Sequence, residues 1–472
     1  MPTPPLASGP QGPGALRPLL DSVLVALREG ADARGGPLPA GGPEAVADLV
    51  RDALGEPLPA EGDPQALGRL VRALAAGTAD PADPLCAAHL HTPPLAVAAA
   101  ADLAASVLNP SLDSWDQAPA ASALEALVTR ALAEEIGAAD ALVTTGGTES
   151  NQLAVLLARE AHAGVRLVCG ANAHHSLLRA AWLLGLPEPV TIPTPAGTLD
   201  PAALDAALAH LQGPLLVAAT AGTTDAGLID PLPRIATLCQ AHGARLHIDA
   251  AYGGGLLFSD RHRDRLDGLA LAHTVTLDLH KLGWQPVAAG LLAVRDAADL
   301  AVLGQQADYL NADDDTEAGL PDLLGRSLRT TRRPDILKIA VTLKTLGRGG
   351  LGALVDQVCE LAQEFASTIE AHPGFELYDR PTISTVLFRP AEASDDTVAA
   401  VRRHLLHDGR AVIGRAVLDG RLWLKVTLLN PHARAGDLAA LLKLVELVEP
   451  SGLAELPELP ELPEPSEGIT PA

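Results

Sequence analysis

Two segments of the sequence place an ionisable side chain at the end of a predicted strand. The run Arg245–Asp249 ends in a carboxylate and continues into small residues, within the segment HIDAAYGG. The run Thr274–Leu277 leads into DLHKLGW, so that Lys281 follows a buried strand. An ammonium group is costly to bury, whereas a lysine that forms an imine receives its charge and hydrogen bonds from a cofactor. The small residues after Asp249 let a flat ligand approach closely.

Each of these residues also has an ordinary structural explanation. Asp249 fits the N-cap of a following helix, and Lys281 fits a strand-end lysine that extends its ammonium group to solvent. The sequence around either residue leaves both interpretations open, and other segments are needed to decide between them.

A glycine-rich turn, TTGGTESN at residues 144–151, joins a predicted strand to a predicted helix. Its backbone N–H groups lie at a helix N-terminus, where an anion is favoured. A generic tight turn explains the same residues, and the segment matches no Walker or dinucleotide-binding motif. A second small-polar turn covers Thr220–Thr224, and a histidine segment covers Asn172–Ser176.

The order of these segments resembles the fold-type I pyridoxal 5′-phosphate (PLP) enzymes, specifically the group II amino-acid decarboxylases, whose strand motifs appear here as HIDAAYGG and TLDLHKLGW. The resemblance runs through residues 84–430. Within that group the sequence is most similar to the L-2,4-diaminobutyrate decarboxylases, which form 1,3-diaminopropane and CO2. The segments that carry this likeness are AAHLHTPPLAV (87–97), NPSLDSWDQAPAA (109–121), TTGGTESNQLAVLLAR (144–159), ADYLNADDD (307–315) and GRSLRTTRRPDILKI (325–339).

The resemblance implies a role for each candidate residue. Lys281 would be the Schiff-base lysine, Asp249 would pair with the pyridine nitrogen, and His174 would stack on the ring, since Arg179 and the two alanines after it set the register. The other cofactor-binding residues would be Gly147, Thr148 and His280 at the phosphate, Thr223 near the ring substituents and Ala251 on the opposite ring face.

These roles agree with the chemistry of decarboxylation. An ionised Asp249 keeps the pyridine nitrogen protonated, so that the ring accepts the electrons left when CO2 departs. The pocket selects the bond that breaks by holding the Cα–carboxylate bond perpendicular to the ring. Lys281 then displaces the product amine, and His174 assists proton transfer, since histidine titrates near neutral pH.

The residue that protonates Cα is an open question at the level of sequence. Many relatives carry a tyrosine for this step in a mobile loop, but the corresponding stretch, Ala312–Gly325, contains neither Tyr nor His. Tyr309, just before that stretch, and His174 are the two candidates. Both are predicted catalytic residues.

Two further clusters have a structural and a functional interpretation. Asp313–Asp315 lacks the glycine turn and distal glutamate of a calcium loop, so we expect a solvated acidic loop and no metal site. Near the pocket it would attract a cationic substrate group. Trp115–Gln117 is typical of a core tryptophan with a capping aspartate, whereas the resemblance implies that it lines the substrate entrance.

The elements that must position these residues lie between about 140 and 295. Short apolar runs alternate there with helical stretches, which indicates a mostly parallel sheet covered on both faces. Ligands bind such sheets at the carboxyl ends of the strands, and the resemblance implies seven strands in an α/β, fold-type I domain. The predicted strands are Ala141–Thr145, Arg166–Cys169, Leu215–Thr220, Arg245–Asp249, Thr274–Leu277 and Ala289–Val294.

Four regions are predicted along the chain: a flexible tail (1–14) and helical segment over 1–83, a PLP-binding large domain over 84–334, a smaller α+β domain over 335–449 and a disordered acidic, Pro-rich tail over 450–472. The predicted helices of the first region are Leu19–Glu29, Pro43–Leu54 and Pro64–Ala76. In the third, the pattern predicts helices over Asp335–Leu346, Gly352–Ala371, Asp395–Asp408 and Ala435–Val448 and strands over Ser384–Arg389 and Leu422–Leu428.

Composition limits the partners of this chain of 472 residues. Its formal net charge of -24 repels phosphate backbones and anionic lipid, and aromatic residues are only 2% of the chain. We therefore expect no nucleic-acid or membrane partner. The four cysteines lie far apart, which argues against a zinc knuckle or disulfide framework. The N-terminus lacks the pattern of a signal peptide, so we expect a cytoplasmic protein.

Several alternatives remain open. The same cofactor serves decarboxylation of an aromatic amino acid, glutamate or aspartate, and it also serves transamination and desulfuration. A further alternative is that the protein is not an enzyme but a non-catalytic scaffold or binding module that keeps the PLP fold. The resemblance further implies a homodimer with active sites at the subunit interface, to which residues 325–333 contribute.

Overall fold

A seven-stranded sheet forms the centre of the large domain. The computed structural model describes residues 3–304, 307 and 310–448. The strands lie in the order β1-β7-β6-β5-β4-β2-β3; only β7 runs antiparallel to its neighbours. The predicted mostly parallel seven-stranded sheet is thereby confirmed. The strands are β1 Asp140–Thr144, β2 Arg166–Gly170, β3 Val190–Ile192, β4 Leu215–Thr220, β5 Arg245–Ala250, β6 Thr274–Asp278 and β7 Gly290–Val294.

Helices cover both faces of this sheet, as its nearly continuous apolar strands require. One face packs against α5, α8, α9 and α11, and the other packs against α6 and α7. The helices up to residue 317 are α1 Gly12–Arg34, α2 Gly42–Leu54, α3 Ala66–Ala76, α4 Ala96–Leu108, α5 Pro119–Ile136, α6 Gly147–Ala161, α7 His175–Leu183, α8 Pro201–His210, α9 Leu232–Ala241 and α10 Asp313–Glu317. The remaining helices are α11 Ile336–Glu370, α12 Asp395–His407 and α13 Ala435–Glu446.

Strand alternation decides which residues of β5 face the α6 side. Successive side chains of a strand point to opposite faces. Leu246 and Ile248 belong to the apolar core on the α5, α8 and α9 side. His247 and Asp249 therefore point the other way, and both hydrogen-bond to Asn151 of α6.

A second, four-stranded sheet follows α11 along the chain. Its order is β10-β11-β9-β8, and all neighbours are antiparallel. α11, α12 and α13 bury their apolar sides against it. The strands are β8 Phe375–Leu377, β9 Thr385–Pro390, β10 Gly414–Leu418 and β11 Arg421–Thr427.

Some elements differ from the sequence-based expectation. The two helices predicted on either side of residue 347 form the single run α11, broken at Gly347, whose φ of 66° is left-handed. The strands β3, β8 and β10 were not predicted. β3 and β8 have only three residues each, and β10 contains an arginine and exposed positions that interrupt its apolar pattern. The prediction of a loose tail over residues 1–14 is wrong for residues 12–14, because α1 begins at Gly12.

The N-terminal helices pack against one another, and the segment between α1 and α2 contacts the end of α12. A Cβ added to Gly30 of α1 would lie 2.5 Å from the Arg72 carbonyl oxygen, so glycine permits the close approach of α1 and α3. The Gly41 N–H donates to the His407 carbonyl oxygen at 2.9 Å. Among the described helices, none is both long and apolar enough to cross a bilayer. The tail predicted over 450–472 lies outside the described residues.

Candidate active site

The candidate residues meet at one edge of the large sheet. β1, β2, β4, β5 and β6 run parallel, so their carboxyl ends lie together. The glycine turn follows β1, the histidine segment follows β2, and the turn with Thr223 follows β4. Asp249 lies near the end of β5, and Lys281 follows β6. This edge is where open α/β sheets bind ligands.

Lys281 is held by a carboxylate that the sequence analysis did not single out. Its Nζ lies 3.0 Å from Oδ2 of Asp278, and Nε2 of His280 lies 3.5 Å from the same oxygen. Asp278 is buried, and its Oδ1 has no hydrogen-bond partner among the described residues. A buried oxygen without a partner marks a place where a further group fits. The signal was present in TLDLHKLGW, where an aspartate is the one charged residue of a buried strand.

The glycine turn lies directly against these groups. A Cβ added to Gly146 would lie 2.9 Å from Cε1 of His280, and one added to Gly147 would lie 3.2 Å from Oδ2 of Asp278 and 3.1 Å from Cβ of Ala251. Only glycine leaves this space open. The turn also begins α6, whose free N–H groups favour an anion.

An ion pair supports the first turn of α6. Oε1 of Glu149 accepts a hydrogen bond from Nε of Arg329 at 2.9 Å, and its Oε2 accepts from the Thr145 N–H at 2.6 Å. Arg329 belongs to the segment 325–333 that was predicted to contribute to an active site, and here it contacts the site of its own chain. Thr148, in the same turn, is exposed.

Asp249 is buried and has hydrogen-bond capacity to spare. Its Oδ2 accepts from Nδ2 of Asn151 at 2.7 Å, and its Oδ1 accepts from the Ala251 N–H at 3.1 Å. A carboxylate offers about four lone-pair sites, so two remain for a ring N–H. The side chain is 5% exposed.

His174 caps the N-terminus of α7. Its Nδ1 accepts from the Ser176 N–H at 3.3 Å and lies 2.8 Å from Oγ of Ser176. Burial lowers the pKa of His174, although the carboxylate of Asp249 opposes this shift. The neutral ring therefore carries its proton on Nε2. The neighbouring ring of His175 lies 4.1 Å away, centroid to centroid.

The other predicted binding residues lie nearby with defined contacts. Thr223 is buried, and its Oγ1 accepts from the Leu228 N–H at 3.0 Å. Burial lowers the pKa of His280, against the effect of Asp278. Tyr309 lies outside the described residues, so its role stays a prediction.

The two additional clusters are separate features. Asp313–Asp315 lies on the short helix α10, and all three residues are exposed. Trp115 lines a cleft of about 450 Å³ together with Asp140, Leu323 and Arg326. Asp116 accepts from Oγ of its neighbour Ser114 at 2.6 Å. Attraction of a cationic substrate by Asp313–Asp315 and a substrate entrance at Trp115 stay predictions.

Comparison with known proteins decides the family. The family described as "Pyridoxal-dependent decarboxylase conserved domain" matches residues 51–391. The chain belongs to this family. As one of the pyridoxal-dependent decarboxylases, it is a carboxy-lyase of amino-acid metabolism with PLP as its cofactor.

Individual relatives agree with this assignment. The chain is 43% identical over 370 residues to the L-2,4-diaminobutyrate decarboxylase of Rhizobium meliloti. The aligned region covers 74% of this chain and 74% of the relative. It is 35% identical over 399 residues to the enzyme of that name from Acinetobacter baumannii, covering 76% of this chain and 78% of the relative.

A solved structure from Vibrio parahaemolyticus has a similar fold. It is described as the glutamate decarboxylase domain of diaminobutyrate-pyruvate transaminase and L-2,4-diaminobutyrate decarboxylase. It superposes with a TM-score of 0.83 at 30% identity, and the match covers 96% of this chain and 98% of that one.

The residues at the sheet edge fit PLP. A lysine amine, a helix N-terminus lined with glycine, and a buried carboxylate with free lone pairs lie at the same edge of the sheet. When bound, PLP would provide an aldehyde group for a lysine amine. Its cationic ring would accept the electron pair that stays on the substrate when CO2 departs. The protein supplies the positions and charges that direct this chemistry.

Proposed function

We propose that the protein decarboxylates L-2,4-diaminobutyrate to 1,3-diaminopropane and CO2. The observation that carries this substrate assignment is the 43% identity over 370 residues to the Rhizobium meliloti enzyme of that name. The 35% identity over 399 residues to the Acinetobacter baumannii enzyme supports it independently.

In the proposed mechanism, Lys281 would supply the amine that holds PLP through its aldehyde group. Its ion pair with Asp278 holds Nζ at the sheet edge, 3.0 Å from the carboxylate. Positioning of this kind makes the reaction effectively intramolecular.

Asp249 is proposed to pair with the pyridine nitrogen. The low dielectric of the interior strengthens the attraction between a buried carboxylate and a pyridinium. Two hydrogen bonds, from Asn151 and from the Ala251 N–H, hold its oxygens in place. The carboxylate thereby keeps the ring electron-deficient while CO2 leaves.

The phosphate is assigned to the α6 N-terminus with Gly147, Thr148 and His280. The pair between Glu149 and Arg329 neutralises the one carboxylate in the first turn of α6, which would otherwise repel a phosphate. Thr223 and Ala251 are assigned to the ring substituents and the second ring face. These assignments follow the resemblance and the contacts given above.

His174 is proposed to stack on the ring and to face the reacting carbon. Its Nδ1 is occupied by Ser176, so Nε2 is the nitrogen available to substrate. Burial lowers the pKa of His174, which favours the neutral ring with its proton on Nε2. His174 and Tyr309 remain the two candidates for protonating Cα.

We further propose a cytoplasmic homodimer. All four cysteines are free, which agrees with a reducing compartment. Leu67, Leu70 and Leu74 lie on one face of α3 and are exposed although apolar, which supports burial against a second copy. The proposed domain division keeps the boundaries after residues 83, 334 and 449.

A substrate panel tests the proposed reaction. CO2 release by the PLP-loaded protein is measured with diaminobutyrate, ornithine, lysine, aspartate, glutamate, tyrosine and tryptophan. Ornithine is one methylene longer than diaminobutyrate, so we expect kcat/KM for diaminobutyrate to be at least about tenfold higher. A higher kcat/KM for any other member of the panel would contradict the substrate assignment. Formation of a keto acid without CO2 would contradict the reaction itself.

A further inference from the structure

Asn151 lies at the centre of a buried hydrogen-bond network beneath the proposed PLP site. Its side chain is fully buried on α6. Its Nδ2 lies 2.7 Å from Oδ2 of Asp249 and 2.9 Å from Oγ of Ser176. Its Oδ1 lies 3.0 Å from Nε2 of His247 and 2.9 Å from Oγ1 of Thr276. All four hydrogen-bonding positions of the amide are therefore used.

The carboxylate of Asp249 fixes the direction of every bond in this network. A carboxylate only accepts, so the amide group facing Asp249 must be Nδ2, and the opposite atom must be Oδ1. His247 and Thr276 therefore donate to Oδ1. Because Nε2 of His247 donates, its Nδ1 accepts from Oγ1 of Thr274, at 2.9 Å.

The second branch leads to the proposed stacking histidine. Oγ of Ser176 accepts from Nδ2 of Asn151, so its own hydrogen is free to point at Nδ1 of His174. The amide of Asn151 thus contacts Asp249 directly. It contacts the ring of His174 through the hydroxyl of Ser176. No other described side chain donates to Asp249.

We propose that Asn151 is a positioning residue, which holds the carboxylate of Asp249 in line with the pyridine nitrogen of PLP. His247 and Thr276 fix the amide, and the amide fixes Oδ2 of Asp249. This inference rests on the proposed pairing of Asp249 with the ring nitrogen. It does not depend on which amino acid is decarboxylated.

Replacing Asn151 with leucine removes the donor to Asp249 while keeping the number and branching of the side-chain heavy atoms. Without this bond the carboxylate is free to rotate, and its attraction to the ring nitrogen weakens. Hydrogen bonds to charged groups are strong, so we expect the dissociation constant for PLP to rise by about tenfold or more.

The decisive measurement compares PLP with its carbocyclic analogue, in which a C–H replaces the ring nitrogen. Dissociation constants of both ligands are measured by equilibrium dialysis with the cofactor-free protein. Wild-type protein is expected to prefer PLP strongly. In Asn151→Leu this preference should fall by about tenfold, because the analogue has no nitrogen for Asp249 to serve.

Two control variants separate this role from general damage. Nδ2 of Asn172 donates to Oδ1 of the buried Asp230 at 2.9 Å, so Asn172→Leu removes a matched amide–carboxylate bond elsewhere. Ser176→Ala breaks the branch to His174 but leaves the bond from Asn151 to Asp249. Both variants should keep the wild-type preference for PLP over the analogue.

The Asp249→Asn variant distinguishes failure of the inference from failure of its premise. If Asp249→Asn keeps the wild-type preference for PLP, the assignment of Asp249 to the ring nitrogen is wrong. If Asp249→Asn loses the preference while Asn151→Leu retains it, the positioning role of Asn151 is wrong. Loss of the preference in both variants, with both controls unchanged, is the expected result.

Discussion

At the scale of single residues, the site depends on charges that are held by a small number of close contacts. Lys281 lies 3.0 Å from a buried aspartate at the end of its own strand. A buried carboxylate is stable only when it is paired or hydrogen-bonded. Asp278 therefore places the amine of Lys281 beside the glycine turn even without the cofactor.

Replacing Lys281 with alanine should remove both covalent attachment of PLP and activity. Borohydride reduction of the PLP-loaded protein, followed by peptide mass spectrometry, should label Lys281 in the wild type and nothing in Lys281→Ala. We expect kcat to fall by roughly three orders of magnitude or more.

Lys344→Ala, which changes an exposed lysine of α11, serves as the control. It should keep both the label and the activity. A label on another lysine in the wild type would show that the assigned residue is wrong.

The buried His247 should make stability depend on pH. Burial lowers its pKa to about 4, against the opposing effect of Asp249. As the pH falls, the unfolded chain, with a histidine pKa near 6.5, therefore binds a proton at a higher pH than the folded protein does. The contribution of the neutral ring is present above pH 6.5 and is lost as the pH falls towards 4, by up to about 3 kcal/mol.

Urea unfolding of the cofactor-free protein at pH values from 7.5 to 4.5 tests this expectation, with the range chosen around those two pKa values. His247→Gln should lose less free energy of unfolding over that range than the wild type. His432→Gln, at an exposed position, should follow the wild type. Parallel curves for wild type and His247→Gln would contradict the expectation.

At the scale of elements, the site is built by turns that follow parallel strands. The glycine turn after β1 and the lysine turn after β6 meet because the two strands lie on either side of β7. Gly290 of β7 is close to both, and a Cβ there would lie 2.5 Å from Cα of Gly146. The sheet therefore needs small residues where the cofactor site is assembled.

The break in α11 gives a second prediction at this scale. Gly347 has a φ of 66°, whereas Gly349 has no positive φ and nothing within 4 Å of an added Cβ. Gly347→Ala should lower the free energy of unfolding by about 1 kcal/mol or more, because alanine is strained at positive φ. Gly349→Ala, its matched control, should be neutral or stabilise by up to about 1 kcal/mol.

Thermal or urea unfolding of the two variants measures these opposite effects. If both variants changed stability in the same direction and by the same amount, the left-handed conformation at residue 347 would not be the cause. Activity should be retained in both, since neither residue belongs to the proposed site.

At the scale of the whole molecule, the N-terminal helices present apolar surface that the described chain does not cover. Leu24 of α1 is 64% exposed, and Leu74 of α3 is 68% exposed. Contiguous exposed apolar side chains are typical of an interface. These helices lie outside both sheets, so they are free to contact a second copy.

The double variant Leu70→Glu/Leu74→Glu should weaken a homodimer. Sedimentation equilibrium of the wild type should give about twice the chain mass of 48.5 kDa. The variant should shift towards the single-chain mass, because two charges would be buried without partners. Val417→Glu, at an exposed position on β10, is the control and should leave the mass unchanged. A monomeric wild type would exclude the proposed dimer.

The sequence by itself determined the features that depend on local pattern. Apolar runs of four to six residues bounded by turns located β1, β2, β4, β5, β6 and β7 to within about a residue or two. Asp249 and the glycine turn were found because they end or directly follow such a run, and Lys281 because it lies in the turn after one. The resemblance of these segments to known decarboxylases then placed the family.

Only the tertiary structure decided which distant residues meet. Asn151 and Asp249 are 98 positions apart, and Arg329 and Glu149 are 180 apart, so no local pattern joins either pair. The short strands β3, β8 and β10 exist because a neighbouring strand completes their hydrogen bonds. Local propensity is a property of adjacent residues, whereas a site is made by side chains that the parallel sheet brings to one edge.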